Sequence, residues 1–180
     1  MVRYANMIQI YLGGLVMNYT IRPTEPGDAA GTAALRRMPG VLETTLGLSS
    51  YRTADSNAFL ANLGPNDHHF VAVLDDGTVI GVACLQVFGN PRMRHVGSVA
   101  LMVHADYQNM GVGSALLKTL LDLADNWLML VRVELTVFAD NERAIHLYEK
   151  LGFEKEGLKR MTTVRDGKYA DEYMMARLHP

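Results

Sequence analysis

The stretch YQNMGVGSALLKTLLDLAD, residues Tyr107–Asp125, sets two glycines one residue apart at the front of a long amphipathic helix. Val112, Leu116, Leu120, Ala124 and Leu128 recur at four-residue spacing as an apolar ladder, and Ser114, Lys118, Asp122 and Asn126 form a polar one. RHVGSVALMVH, just upstream, reads as a strand. Glycines between a strand and a helix bring backbone N–H groups close to phosphate, where unpaired donors and the positive end of the helix dipole meet the anion. The plainer alternative is a tight turn. Two familiar phosphate loops are excluded by spelling: no G-x-x-x-x-G-K-[ST] run is present, and Leu116 stands where a dinucleotide fingerprint needs its third glycine.

Outward from this helix the two periods alternate. NYTIRP is a strand, GDAAGTAALRRM and TADSNAFLANL are helices, and VLETTLGLSSYR between them is ambiguous. HHFVAVLD and TVIGVACLQVF flank Asp75, Asp76 and Gly77, a hairpin signal. Beyond the long helix, VRVELTVF is a strand and NERAIHLYEKLGF a helix, capped by Asp140 or Asn141 and stopped at Gly152. GLKRMTTVRDGKYADEYMMARL closes the chain as a strand pair turning at Asp166 and Gly167. Mixed strands with interleaved helices imply an α/β or α+β domain layered around one central sheet.

Composition bounds the function. With 180 residues, 49% of them hydrophobic and 20% charged, the chain suits one globular domain. Seventeen basic and nineteen acidic side chains leave a net charge of -2 without a block of like charge. That composition advertises neither nucleic acid nor a membrane surface, and points to a small-molecule partner. Cys84 is the only cysteine, which excludes an intramolecular disulfide, disfavours a zinc cluster and agrees with a reducing cytoplasm. Residues 1–16 faintly suggest a secretory signal, but Gln9 interrupts the apolar run and no A-x-A-like site follows. They read as an extension ahead of a single domain spanning residues 17–180.

Gln108-x-x-Gly111-x-Gly113-x-Ala115 resembles the [QR]-x-x-G-x-[GA] signature of the GNAT superfamily of acyl-CoA-dependent N-acetyltransferases. ADNERAIHLYEKLGFEKEG resembles that superfamily's second cofactor segment. ELTVFADN, LYEKLGFEKEG and RDGKYADEYMMARL are most similar to the bacterial L-amino acid N-acyltransferases, with the phosphinothricin and methionine sulfoximine acetyltransferases as near relatives. The resemblance implies a mixed, mostly antiparallel sheet of about six to seven strands flanked by about four helices, with a V-shaped splay between the fourth and fifth strands. It implies acetyl-CoA as the acyl donor, with no metal. The pantetheine arm would pair with Leu101, Met102 and Val103. The pyrophosphate would lie on the amides of Gln108, Asn109, Met110, Gly111, Val112, Gly113 and Ser114, and Asn141, Ala144 and Tyr148 would also contact the cofactor. A homodimer is a further implication.

Chemistry then assigns roles. Tyr148 sits on an apolar helix face, where a tyrosine is commonly core, but the resemblance places the superfamily's general acid there. A phenol with pKa of about 10 stays protonated at neutral pH and can donate to the departing thiolate. Some relatives carry a Glu where this chain has Thr136; Glu134 shares that strand face and is the first candidate for general base, with His104 and His95 behind it. Arg92 and Arg94, or Arg52, could meet an acceptor carboxylate, and Glu43 a cationic acceptor. A covalent route through Cys84 needs a neighbouring base that GVACLQVF does not supply. The expected activity is acetyl transfer to the primary amine of an L-amino acid or analogue, the alternatives being a protein or peptide acceptor, or a non-catalytic acyl-CoA-binding module.

Overall fold

The computed structural model describes residues 8–12 and 15–179. In chain order these form β1 (Ile8–Leu12), β2 (Leu15–Pro23), α1 (Ala29–Arg36), α2 (Thr53–Ala61), β3 (Asp67–Leu74), β4 (Val79–Val87), β5 (Val96–Val103), α3 (Val112–Asn126), β6 (Arg132–Phe138), α4 (Glu142–Lys150), β7 (Glu154–Arg165) and β8 (Lys168–Leu178). The strands are hydrogen-bonded in the order β1-β2-β3-β4-β5-β6-β8-β7. The expected helices are present, but the sheet has eight strands rather than six or seven. The addition is β1, which lies ahead of Met17 and pairs antiparallel with β2 from Ile8↔Tyr19 to Leu12↔Leu15. Of the expected extension, residues 1–16, residues 1–7 and 13–14 lie outside the described residues. Two compact units divide the chain, Met1–Cys84 with Leu101–Leu120 and Leu85–Ala100 with Leu121–Pro180.

In the first unit, Leu35 and Val41 pack with Val71, Val73, Val79, Val82 and Met102, and Met38 covers the cluster. Val71 and Val73 are two apart and so share one face of β3. Gly81 is turned the other way from Val82 and lets α3 dock closely: a Cβ there would lie 2.7 Å from Leu116 Cδ1 and 3.4 Å from the Met102 carbonyl. Asp28 is buried ahead of α1, where Arg22 donates to it at 2.7 and 2.8 Å and Glu25 N at 2.8 Å. Burial alone would push the Asp28 pKa up, but the bonds from Arg22 and Glu25 outweigh it and hold the group below the usual carboxylate range. At the end of α1, the Arg36 guanidinium lies over the Tyr51 and Phe59 rings at 5.3 and 5.9 Å. Phe59 meets His69 edge-on at 5.2 Å, and burial pushes the His69 pKa down.

In the second unit, β5 and β6 run parallel with a register from Val96↔Arg132 to Ser98↔Glu134. Counted from β2 these are the fourth and fifth strands, and their ladder occupies only the first residues of each. Val133, Leu135 and Val137 turn inward from β6, while Arg132, Glu134 and Thr136 share its other face. β6 pairs along its whole length with β8, from Arg132↔Leu178 to Phe138↔Glu172. β7 is the outer strand; its register with β8 shifts between Lys155 and Gly157 and again between Lys159 and Thr163. Leu158, Met161 and Val164 on it are exposed, and Met161 has a positive φ of 55°. Asp125 and Arg177 form a bidentate pair at 2.8 Å.

Candidate active site

The glycine-opened helix start belongs to the first unit. β5 leads into a short 3-10 turn, Ala105–Tyr107, where His104 N donates to the Ile80 carbonyl at 2.9 Å. The His104 imidazole is engaged locally: Nδ1 accepts from Asp106 N at 3.3 Å, and the ring meets Tyr107 at 5.2 Å. Asn109 (φ 62°) and Gly111 (φ 85°) then take left-handed conformations on either side of Met110. Ala115 N donates to the Gly111 carbonyl at 2.9 Å, so the N–H groups of Val112, Gly113 and Ser114 have no acceptor within the helix. Gly111 has no side chain with which to cap them, and the first turn of α3 contains no acidic residue. A Cβ at Gly111 would meet nothing within 4 Å, so glycine answers the backbone angle rather than crowding. These donors, at the positive end of a helix of 15 residues, fit the pyrophosphate of a CoA thioester.

The Gln108 side chain is engaged within the chain. Its Nε2 donates to the Val103 carbonyl at 3.0 Å and to the Gly40 carbonyl at 3.3 Å. Nearby, Ala105 N donates to Met38 Sδ at 3.4 Å, and Glu43 Oε2 accepts from Gly40 N at 2.7 Å. Glu43 therefore braces its own turn. Leu101 and Val103 are half-buried, and Met102 belongs to the core cluster.

The helix that carries Tyr148 lies in the second unit. Asn141 is the cap: its Oδ1 accepts from Ala144 N at 3.2 Å, and its carbonyl from Ile145 N at 3.0 Å. Asp140, the alternative cap in the sequence, instead pairs with Arg165, whose guanidinium also lies 4.7 Å over the Phe138 ring. Ile145 and Tyr148 are the buried residues of α4, and the Tyr148 ring lies 5.8 Å from that of Phe153. The helix ends with Leu151 N and Phe153 N both donating to the Tyr148 carbonyl at 3.0 Å, around Gly152 in its left-handed conformation (φ 88°).

Glu134 does not stand alone on its strand face. Its Oε2 accepts from Arg132 Nε at 2.8 Å, and the other nitrogens of Arg132 clamp Glu156 at 2.8 and 2.5 Å. The two-residue spacing of Arg132 and Glu134 was visible in the sequence; the participation of Glu156 was not. Thr136 is exposed. Arg92 and Arg94 are exposed in and just after the turn Pro91–Met93, which Asn90 caps by accepting from Arg92 N at 3.0 Å. His95 is exposed and Cys84 half-buried. Among the described residues no group of His, Cys, Asp or Glu is arranged to hold a metal, and no helix is long and apolar enough to cross a membrane.

The strand β5 runs into a helix start opened by glycine, and β6 into a helix capped by Asn141 that buries a tyrosine. The model of the Acetyltransferase (GNAT) family matches residues 27–153, and the chain belongs to that family, an N-acetyltransferase whose relatives use acetyl-CoA. It is 42% identical over 114 residues to the L-amino acid N-acetyltransferase AaaT of Escherichia coli, covering 63% of this chain and 70% of the relative. It is 33% identical over 120 residues to the N-alpha-acetyltransferase RimI of Mycobacterium tuberculosis, covering 67% and 72%. Among solved structures, a GNAT-family acetyltransferase from Streptococcus pneumoniae superposes with a TM-score of 0.78 at 30% identity, over 90% of this chain and 99% of that one.

Proposed function

We propose that this protein transfers the acetyl group of acetyl-CoA to the primary amine of a small molecule, an L-amino acid or a close analogue, by direct attack in a ternary complex. The observation that carries the reading is the start of α3, whose first-turn N–H groups have no acceptor within the helix and no acidic residue beside them in that turn; the 42% identical relative supports the acceptor class. The backbone of Gln108 to Ser114 holds the pyrophosphate, Leu101 to Val103 offer strand backbone to the pantetheine arm, and Asn141 and Ala144 complete the cofactor contacts. Arg92 and Arg94 meet the acceptor carboxylate; Glu43 belongs to the alternative of a cationic acceptor.

The neutral amine attacks the thioester carbonyl carbon, forming the C–N bond. A backbone N–H of β5 steadies the oxyanion. The C–S bond then breaks and Tyr148 gives its phenolic proton to the leaving sulfur. The amine's surplus proton goes to Glu134 or to water; Glu134 must loosen its bond to Arg132 to receive it. Little base is needed for an α-amine, because a free pKa of about 8 leaves a useful neutral fraction at neutral pH. The exposed Leu158, Met161 and Val164 of β7 support self-association through the closing strands.

A second reading, acetylation of a protein or peptide N-terminus, is favoured by the similarity to RimI. The deciding experiment measures thiol release from acetyl-CoA across L-amino acids, methionine sulfoximine, phosphinothricin, polyamines and N-terminal peptides. Turnover confined to amino acids supports the proposal, and turnover confined to peptides replaces it with the second reading. Silence with retained acetyl-CoA binding leaves a non-catalytic acyl-CoA module.

A further inference from the structure

The two hydrogen bonds donated by Gln108 join segments that lie far apart in sequence, and the geometry around them is redundant. The Gly40 carbonyl accepts from Gln108 Nε2, while Met38 Sδ accepts from Ala105 N, across 68 and 67 residues respectively. Gly40 is in a left-handed conformation, φ 81°, and a Cβ there would touch the Ala105 Cβ at 3.4 Å. On its other side the Gly40 N–H is held by Glu43 at 2.7 Å. Both peptide units of Gly40 are therefore fixed, one by its own turn and the other by the segment that leads into α3. The second bond of Gln108, to Val103 at the end of β5, anchors its carboxamide to the sheet. Asn109, the next residue, begins the left-handed pair whose backbone shapes the phosphate loop.

We propose that Gln108 is a positioning residue that couples the Met38–Glu43 turn to the phosphate loop, so that filling the loop with CoA orders the turn. The inference rests on the acyl-CoA reading of that loop and adds to it a route from cofactor to the acceptor side. An anion on the amides of Gly111 to Ser114 holds the backbone of Asn109 and Gly111, which holds Gln108, which holds the Gly40 carbonyl. By linkage, whatever steadies the turn must also tighten CoA binding.

Hydrogen exchange of the full chain with and without CoA tests this without turnover. Saturating CoA should slow exchange both in the peptide over Gly111–Ala115 and in the peptide over Met38–Thr44, the latter by about fivefold or more. In Gln108→Met, of similar length but without donors, CoA at a concentration that saturates the variant should no longer slow exchange in the turn. Gln108→Arg, which restores forked N–H donors, should recover the response. A wild-type turn indifferent to CoA while the loop is protected overturns the coupling alone, as does a Gln108→Met turn that still responds. If CoA protects neither segment, the cofactor reading fails and this inference falls with it. If CoA protects both but no amino acid is acetylated, the acceptor assignment fails and the coupling stands.

Discussion

Helices α3 and α4 both follow strands of the same sheet and both carry signature residues of the family, yet one begins open and the other closed. At α4, Asn141 Oδ1 accepts from Ala144 N, and Glu142 sits in the first turn against the helix dipole. The needs of that helix start are met from within the chain. At α3, glycine replaces the cap, no acid occupies the first turn, and the N–H groups of Val112, Gly113 and Ser114 have no acceptor within the helix. The start of α3 is left open for the proposed cofactor, whereas α4 is tied down at Asn141, at the opposite end of the helix from Tyr148.

The sharpest test of α4 is Tyr148→Phe. The ring that packs against Phe153 is kept and only the proton is lost, so kcat should fall about 100-fold, with acetyl-CoA affinity by calorimetry unchanged. Equal losses in both would mean that Tyr148 holds the cofactor rather than acting on it. Next in size, Gly111→Asp would place an acid at the start of α3. Its carboxylate would repel phosphate, weakening acetyl-CoA binding about 30-fold, about 2 kcal/mol, and the side chain at φ 85° would also lower the melting temperature. Unchanged affinity would remove the α3 start from the site.

Asp28→Ala should cost about 2 kcal/mol in denaturant unfolding, because it leaves Arg22 partly buried without its carboxylate. The sign of the pH effect follows from the lowered Asp28 pKa. The unfolded chain binds the proton more readily, so the contribution is complete above the ordinary carboxyl pKa of about 4 and drains away as pH falls through the lower folded value. Wild-type stability should therefore fall more steeply than that of the variant between about pH 5 and about pH 3. The smallest change is expected from Asn141→Ala, about 1 kcal/mol for a lost cap, seen as a melting temperature about 3 °C lower.

Much of this was legible in sequence because it is local. The four-residue ladder of α3, the glycines before it and the Asp166-Gly167 turn all announce themselves within a few residues. What escaped depends on distant partners. β1 is a short apolar run whose identity as a strand comes from its register with β2. The choice of Asn141 over Asp140 as cap is settled by Arg165, 25 residues away, which takes Asp140 for itself. Gln108 was readable as a signature residue, but its hold on the Gly40 carbonyl spans 68 residues and leaves no periodic trace. Alternation correctly put Glu134 on one face with Thr136, yet its engagement by Arg132 and the link to Glu156 depend on how the later strands fold back.

The crooked outer strand has a consequence for the molecule in a crowded solution. A straight, apolar strand at the rim of a sheet invites the rim of a neighbouring molecule to extend the ladder, which is how native sheets begin to aggregate. β7 breaks that template with two register shifts and a left-handed Met161, so its exposed Leu158 and Val164 can be met by side chains but not easily by another backbone. The irregularity keeps this exposed apolar rim from templating a fibre.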